Sequence, residues 1–335
     1  MPWHVLEDKM WNELVSGKDN IGTTLRGIGP CYGDKVGRSF AIRVGDMIQP
    51  DFADRVRKIV AVKSKIIAAV TDAKVELDAD AIIKEYSEYA EQLKPMITDT
   101  NQIVLNAVDD DKEILFEGAQ GSLLDVDHGT FPFVTSSNSS GLGISTGSGV
   151  PGNWLSKIVG VTKSYATRVG GGPFPTEQDN EKGQHIRDLG NEYGTTTGRP
   201  RRCGWWDAVA ARFTARLGGV TSIALTMLDV LSELEEIEFC VAYELNGERI
   251  THFPANVNDL NNVKPIYEKI DGWQVDVTGA RKLEDLPIKA IQYARKVETL
   301  IGRRIEFISV GPDRAQTIHI PETQSLESFL KTHAV

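Results

Sequence analysis

The chain has 335 residues, of which 41% are hydrophobic and 25% charged, with a formal net charge of −10. That balance describes a globular protein and excludes a general nucleic-acid binder, which needs a basic face to neutralise phosphates. It leaves room for a phosphorylated small ligand, because a local pocket can be basic on an acidic protein.

No stretch approaches the length of apolar residues that spans a membrane. Met1-Pro2-Trp3-His4 opens without a secretory pattern. Cys31, Cys203 and Cys240 are widely spaced, with no CxxC pair, so reduced thiols and a cytoplasmic setting are expected. Residues 19–46, rich in Gly, Thr, Arg and Asp, read as an ordered loop region. Helical periodicity follows over 52–93, with Val56, Ile59, Val60, Ile66, Ile67, Val70, Ile82, Ile83 and Tyr86 on apolar stripes. Strands are predicted at 113–117, 157–163, 222–226 and 305–309. Helices are predicted at 207–217 and at 286–301, the latter closed by Gly302. Asn246-Gly247 predicts a hairpin turn within 243–250. Strands alternating with helices imply an α/β fold: a mostly parallel central sheet flanked by helices, with ligands at the C-terminal ends of the strands.

Five segments concentrate residues suited to anion and nucleotide chemistry. In residues 21–38 glycines interleave with Thr23, Thr24, Arg26, Lys35 and Arg38, so backbone amides and cations can approach a phosphate, although a tight surface turn gives the same composition. Phe116-Glu117-Gly118-Ala119-Gln120-Gly121 runs into a glycine turn, followed by Asp125, Asp127 and His128. Those three read as turn caps in preference to metal ligands. Thr195, Thr196, Thr197, Gly198, Arg199, Pro200, Arg201 and Arg202 form a dense anion clamp, because the guanidinium fork matches carboxylate and phosphate. Asp229 and Asp313 follow strand ends. An aspartate there can accept both N–H groups of a guanine edge, a pattern adenine does not offer; it also suits a helix cap. No GxxxxGK[ST] loop occurs, and the GxGxxG string at 147–152 contains Pro151 and reads as a loop.

Taken in order, these motifs resemble the adenylosuccinate synthetase family. The signature is Gly27-Ile28-Gly29-Pro30 with Tyr32, Lys35 and Arg38. It is joined by 116–121, Asp127-His128-Gly129-Thr130, Thr135-Ser136-Ser137-Asn138, Thr167-Arg168-Val169, Gly172-Pro173-Phe174-Pro175-Thr176-Glu177, the arginine loop, Leu228-Asp229-Val230-Leu231 and Gly311-Pro312-Asp313-Arg314. The resemblance runs from about residue 20 to the C-terminus. It implies a P-loop-NTPase-like synthetase fold in one domain over 1–335, with a helical subregion at 50–100 and a guanine-nucleotide-binding subregion at 225–335.

The implied activity is GTP-dependent ligation of L-aspartate to IMP in AMP biosynthesis, with Mg2+ and a cytoplasmic homodimer. The implied IMP contacts are Thr24, Gln120 (also the one catalytic residue in this chain), Thr135, Arg199 and, reaching into a partner subunit, Arg38. Residues 195–199 and Arg201 would close on aspartate. GTP would meet Arg201, Met227, Leu228, Asp229, Ser309, Val310 and Gly311. Met227 stands where the family usually carries lysine. Glycine-rich GDEGKGK-type and NAGHT-type segments, which in the family supply the catalytic aspartate and histidine and the metal ligands, do not occur in this sequence. The expectation is therefore an N-terminally truncated chain with no metal ligands of its own, inactive alone, with an exposed sheet edge. A non-catalytic purine-nucleotide-binding remnant is the alternative.

Overall fold

A computed structural model describes residues 1–15, 21–71, 77–194 and 198–333. The first part is helical: α1 (Pro2–Leu14), α2 (Ile28–Gly37), α3 (Phe52–Val70), α4 (Ala79–Leu93), α5 (Thr100–Asp109) and α6 (Gly143–Ser148). Proline opens α1 where its missing N–H costs nothing. Asp78 caps α4 and Asp99 caps α5 by accepting backbone N–H groups. Trp3 of α1, Phe52, Val56, Ile59 and Val60 of α3 and Ile82 of α4 form a shared core. The stripe expected over 52–93 thus buries its first turns, whereas Ile66 and Val70 face solvent.

Charge is buried in the same layer. Lys63 Nζ lies 2.8 Å from Glu7 and 2.7 Å from Asp34, and the second Asp34 oxygen is 2.8 Å from His4 Nε2. All four side chains are nearly inaccessible. Burial pushes the Glu7 carboxyl up, against the opposing pull of Lys63. The ion network ties α1, α2 and α3 together beside their apolar contacts.

The second part is α/β. Strands β1 (Val159–Lys163), β2 (Ala166–Arg168), β3 (Arg202–Gly204), β4 (Trp206–Asp207), β5 (Ser222–Thr226), β6 (Glu236–Leu245), β7 (Glu248–Ile250), β8 (Lys264–Asp271), β9 (Arg304–Ser309) and β10 (Thr317–His319) alternate with α7 (Glu181–Leu189), α8 (Ala208–Leu217), α9 (Val257–Asn262), α10 (Ile288–Ile301) and α11 (Leu326–His333). The central sheet runs β1-β5-β9-β10, parallel except for β10. Ile223, Leu225, Ile305 and Ile308 pack with Tyr293 and Ile291 of α10 into the main core. A second sheet centres on β6, which pairs parallel with β4 and antiparallel with β7 and β8. Asn246 and Gly247 take the positive φ angles the β6–β7 hairpin needs, and Gly302 takes φ 72 at the end of α10.

Three sequence expectations change. Residues 113–117 form no strand and pair with no described strand, and Leu115 is 94% exposed; without a neighbour to complete a ladder, a β-prone run is not a strand. Residues 28–37 of the supposed loop form α2, because Gly27 at φ 77 turns the chain into a helix whose first turn closes on Gly27 itself. Gly147 and Ser148 of the GxGxxG string end α6 and Gly152 opens a short 3-10 turn, so only 149–151 is loop. Strand β1 forms the edge of the central sheet, with Val161 74% exposed.

Lys63→Met fills the same space but leaves two buried carboxylates uncompensated. It is expected to lower the unfolding free energy by about 3–5 kcal/mol, the usual cost of breaking a buried ion pair from one side. Denaturant titration of both proteins at neutral pH measures this, and a change near zero would mean that water reaches Glu7 and Asp34.

Candidate functional site

The register of the parallel strands brings their C-terminal ends side by side. Lys163 of β1 pairs with Thr226 of β5, and Leu225 pairs with Ile308 of β9. Ser164 donates its N–H and its hydroxyl to the Thr226 carbonyl, at 2.8 and 3.0 Å, and Tyr293 donates to the Ser164 carbonyl. Beyond β5 the chain turns sharply because Met227 adopts φ 61. Leu228, Val230 and Leu231 are buried and clamp the following turn. Asp229 between them is half-buried, and its Oδ1 is buried with no hydrogen-bond partner among the described residues. Burial raises its carboxyl pKa, and Asp276 adds to that. A buried acceptor left unpaired costs about 1–3 kcal/mol, which a ligand donor would return.

Beside it, Ser309 donates to the Gly311 carbonyl at 2.9 Å, and the Val310 N–H donates to the Gln316 carbonyl. A Cβ on Gly311 would come within 2.4 Å of the Gln316 side chain. Gln316 is itself held by the Thr278 carbonyl at 3.0 Å. The expected group Met227, Leu228, Asp229, Ser309, Val310 and Gly311 is thus gathered at two neighbouring strand ends.

A buried carboxylate anchors the arginine loop. Glu192 is fully buried and accepts from Lys163 and Tyr165, both at 2.5 Å, and from Arg201 Nη1 at 2.6 Å. Burial works to raise its carboxyl, but these donors outweigh it and hold the pKa below the ordinary value. The Arg201 N–H also donates to the Glu192 carbonyl. Arg201 is therefore fixed at the loop's base, next to the end of β1. Gly194 and Arg199 close the mouth of the loop through a backbone bond of 2.8 Å, and Gly198 lies at φ 64. Arg199 is exposed. Thr195, Thr196 and Thr197 lie outside the described residues. Arg202 instead grips Glu177 with two nitrogens. Glu192, Lys163 and Tyr165 were not among the expected site residues. The signal was Gly190-Asn191-Glu192-Tyr193-Gly194, a carboxylate in a glycine-flanked turn just before the threonines.

The 21–38 segment is organised by Asp8. Its carboxylate accepts from the Thr23 hydroxyl at 2.8 and 2.9 Å and from the Gly27 N–H at 2.9 Å. A Cβ on Gly27 would lie 2.7 Å from the His4 backbone, so α2 can start here only on glycine. Thr24, between these anchors, is exposed. A Cβ on Gly22 would fall 3.7 Å from Gly170, and one on Gly29 would fall 3.5 Å from Ser136 Oγ, so the segment borders the loop carrying Thr135. Arg168 joins that loop to the 170–172 turn by donating to Thr130, Phe133 and Gly171; burial first, then Arg202, lowers its pKa to about 10.

The Thr135 loop is built on Asp125, which accepts backbone N–H groups from Asp127, His128 and Ser140 at 3.0–3.1 Å. Burial alone would raise its carboxyl; the three donors bring it down to about 2. The turn-capping role expected for Asp125 is what the geometry shows. Gln120, at φ 60, is exposed at the end of 113–119, beside a cavity of about 240 Å³ bordered by Phe116, Ala119, Asn138 and Ile144. Arg38 is exposed at φ 66 beyond α2, and its side chain contacts none of the other described site residues. Among the described residues no group of three or more His, Cys, Asp or Glu is placed to hold a metal ion. The donor set does not fit a magnesium cage, since Asp125 is committed to backbone amides and Asp127 to Asn138.

A family model for adenylosuccinate synthetase matches residues 1–318. The chain belongs to the adenylosuccinate synthetase family. Adenylosuccinate synthetases of Streptococcus gordonii and Streptococcus sanguinis are 49% and 48% identical to it over 318 residues, spanning 95% of this chain and 73% of each relative. The structure of fully ligated adenylosuccinate synthetase from Plasmodium falciparum superposes with a TM-score of 0.90 at 35% identity, covering 95% of this chain and 75% of that one. Adenylosuccinate synthetases are ligases that form a carbon–nitrogen bond, and the mixed α/β architecture with its mostly parallel central sheet is theirs.

The depressed Asp125 pKa predicts a pH effect of definite sign. Its stabilisation is fully present above the unfolded carboxyl value near 4 and is lost as pH falls through about 2. Asp125→Asn is expected to destabilise the protein at neutral pH. The gap between variant and parent should narrow as pH drops from about 4 toward 2. Denaturant midpoints across that range measure it, and a gap independent of pH would mean that the carboxylate charge is not what holds the loop.

Proposed function

We propose that this chain carries the IMP, aspartate and GTP contacts of adenylosuccinate synthesis, with Asp229 as the guanine reader. The carrying observation is the buried, unpaired Asp229 Oδ1 at the C-terminal end of β5, next to Ser309 and Gly311. Guanine presents N1–H and an exocyclic amino group on one edge, which satisfy a carboxylate; adenine presents an acceptor at the same place and would repel it. Met227, just before Asp229, is partly buried against the main core, and in this reading its apolar side chain offers a surface to the purine face.

The reaction needs the IMP O6 made into a leaving group. O6 attacks the γ-phosphorus of GTP, the bond to the β-phosphate oxygen breaks, and GDP departs, leaving 6-phosphoryl-IMP. The aspartate amine then adds to C6, inorganic phosphate leaves with the C–O bond electrons, and the amine gives up its proton. In this reading Thr24 and Thr135 bind the IMP phosphate and Gln120 the hypoxanthine edge near O6. Arg199 contacts IMP, and Arg38 serves the site of a second subunit in a homodimer. Residues 195–199 and Arg201 hold the aspartate carboxylates, with Arg201 also reaching the GTP phosphates. Glu192 fixes Arg201 in advance, so less ordering is left for the bound state. Magnesium would neutralise the transferring phosphates, and this chain's described residues are not arranged to hold it. Because GDEGKGK-type and NAGHT-type segments do not occur in the sequence, the isolated chain is expected to bind nucleotides without turnover.

Calorimetric titration of the chain with GDP, ADP and IMP tests the reading. GDP should bind more tightly than ADP. Asp229→Asn, which offers a donor where an acceptor is needed, should lose about tenfold or more of that preference, the worth of one or two hydrogen bonds to a charged group. Equal binding of GDP and ADP by the parent protein would remove the guanine assignment. IMP bound without adenylosuccinate formation on adding GTP, Mg2+ and aspartate would favour the nucleotide-binding remnant as the state of this chain, and turnover would establish it as a complete catalyst.

A further inference from the structure

A cavity of about 390 Å³ lies against the C-terminal half of α8 and the segment following β7. Arg212, Arg216 and His252 bring positive or protonatable groups to its wall, Phe213, Phe253 and Leu217 supply apolar surface, and no carboxylate lines it. The two phenylalanine rings are stacked, with centroids 5.1 Å apart and planes 11° from parallel. Phe253 also packs against the small core of Val209, Tyr243, Leu260 and Val263, so the aromatic face is held in place.

The position separates this cavity from the strand-end site. Helix α8 runs into β5 at Ser222, so Arg216 and Leu217 lie by the N-terminal ends of the parallel strands. Arg212 Nε donates to the carbonyl of Leu300 at 3.0 Å, and Leu300 lies just before the start of β9, at the same end. Thr226, Asp229 and Ser309 are at the opposite end of the sheet.

Arg212 uses one nitrogen on Leu300, which leaves its two terminal nitrogens available. Arg216 and His252 are exposed, and their side chains make no hydrogen bond or ion pair among the described residues. In a chain with net charge −10, two arginines and a histidine around one hollow, with no acid among them, are a local inversion of the overall field. Arg216 in the last turn also complements the helix dipole. That accounts for neither His252, on a different segment, nor the preformed ring pair.

We infer that this cavity binds a small organic anion that joins a flat ring to a phosphate or carboxylate, at a site independent of the strand-end site. The ring would lie against Phe253 and Leu217, and the anion would take the free nitrogens of Arg212 and Arg216, with His252 completing the cluster.

Phenyl phosphate is the probe, titrated calorimetrically into the full chain, with inorganic phosphate in parallel. The expected result is one phenyl phosphate bound per chain, more tightly than inorganic phosphate, and undiminished by saturating IMP and GDP. Arg216→Glu is expected to weaken it by about tenfold or more, the loss of one charge-assisted contact. Lys65→Glu makes the same charge change on the exposed face of α3 and should leave binding unaltered. Thermal unfolding confirms that each variant is folded before titration, and Phe253→Leu, which keeps the volume and removes the ring, gives a second reading through a reduced preference over inorganic phosphate. The inference is overturned by no binding, by competition from IMP or GDP, by equal affinity for inorganic phosphate, or by Arg216→Glu and Lys65→Glu behaving alike.

Discussion

A carboxylate with no access to water governs the arrangement of the candidate site. Glu192 must be neutralised where it lies, and the groups that do so come from two stretches of chain: Lys163 at the end of β1 with Tyr165 just beyond it, and Arg201 at the base of the arginine loop. Removing any one leaves a buried charge short of donors, which costs far more than a surface contact. Arg201 therefore cannot drift relative to the central sheet without exposing that deficit.

The two halves of the protein solve a shared problem in the same way. Around Lys63 the first half neutralises Glu7 and Asp34 inside a helical layer; around Glu192 the second half neutralises a carboxylate at a strand end. Asp8 and Asp125 do related work with backbone N–H groups, fixing the 21–29 turn and the 125–140 loop. Much of the chain's excess negative charge at these points is structural, already spent on amides and cations. Asp229 differs because one of its oxygens is buried without such a partner.

The local part of this architecture was legible in the sequence. Short, largely apolar runs such as Ser222–Thr226, the Asn246-Gly247 turn and the Gly302 stop declare themselves within a few residues, because turn geometry and periodicity are local constraints. The strand-end group of Asp229 and Gly311 followed from the same logic, once parallel pairing was assumed. Residues 113–117 carry the pattern of a strand but lack a neighbour among the described residues, and a ladder is a property of two segments. Helix α2 was hidden by its glycines; what starts it is Asp8, nineteen positions earlier, accepting from Gly27. Glu192 and Lys63 escaped for the same reason: a buried ion pair across tens of residues leaves no mark in either segment alone.

Met227 takes a left-handed backbone, at φ 61, as the chain leaves β5. That conformation strongly penalises side chains branched at Cβ and tolerates unbranched ones. The genetic code gives methionine a single codon, whose one-nucleotide neighbours encode Ile, Val, Thr, Leu, Lys and Arg. The backbone screens out the first three as replacements. Lysine is unbranched and one transversion away. The backbone therefore admits an unbranched cation at this position, and what such an exchange gives up is the packing of Met227 against the main core.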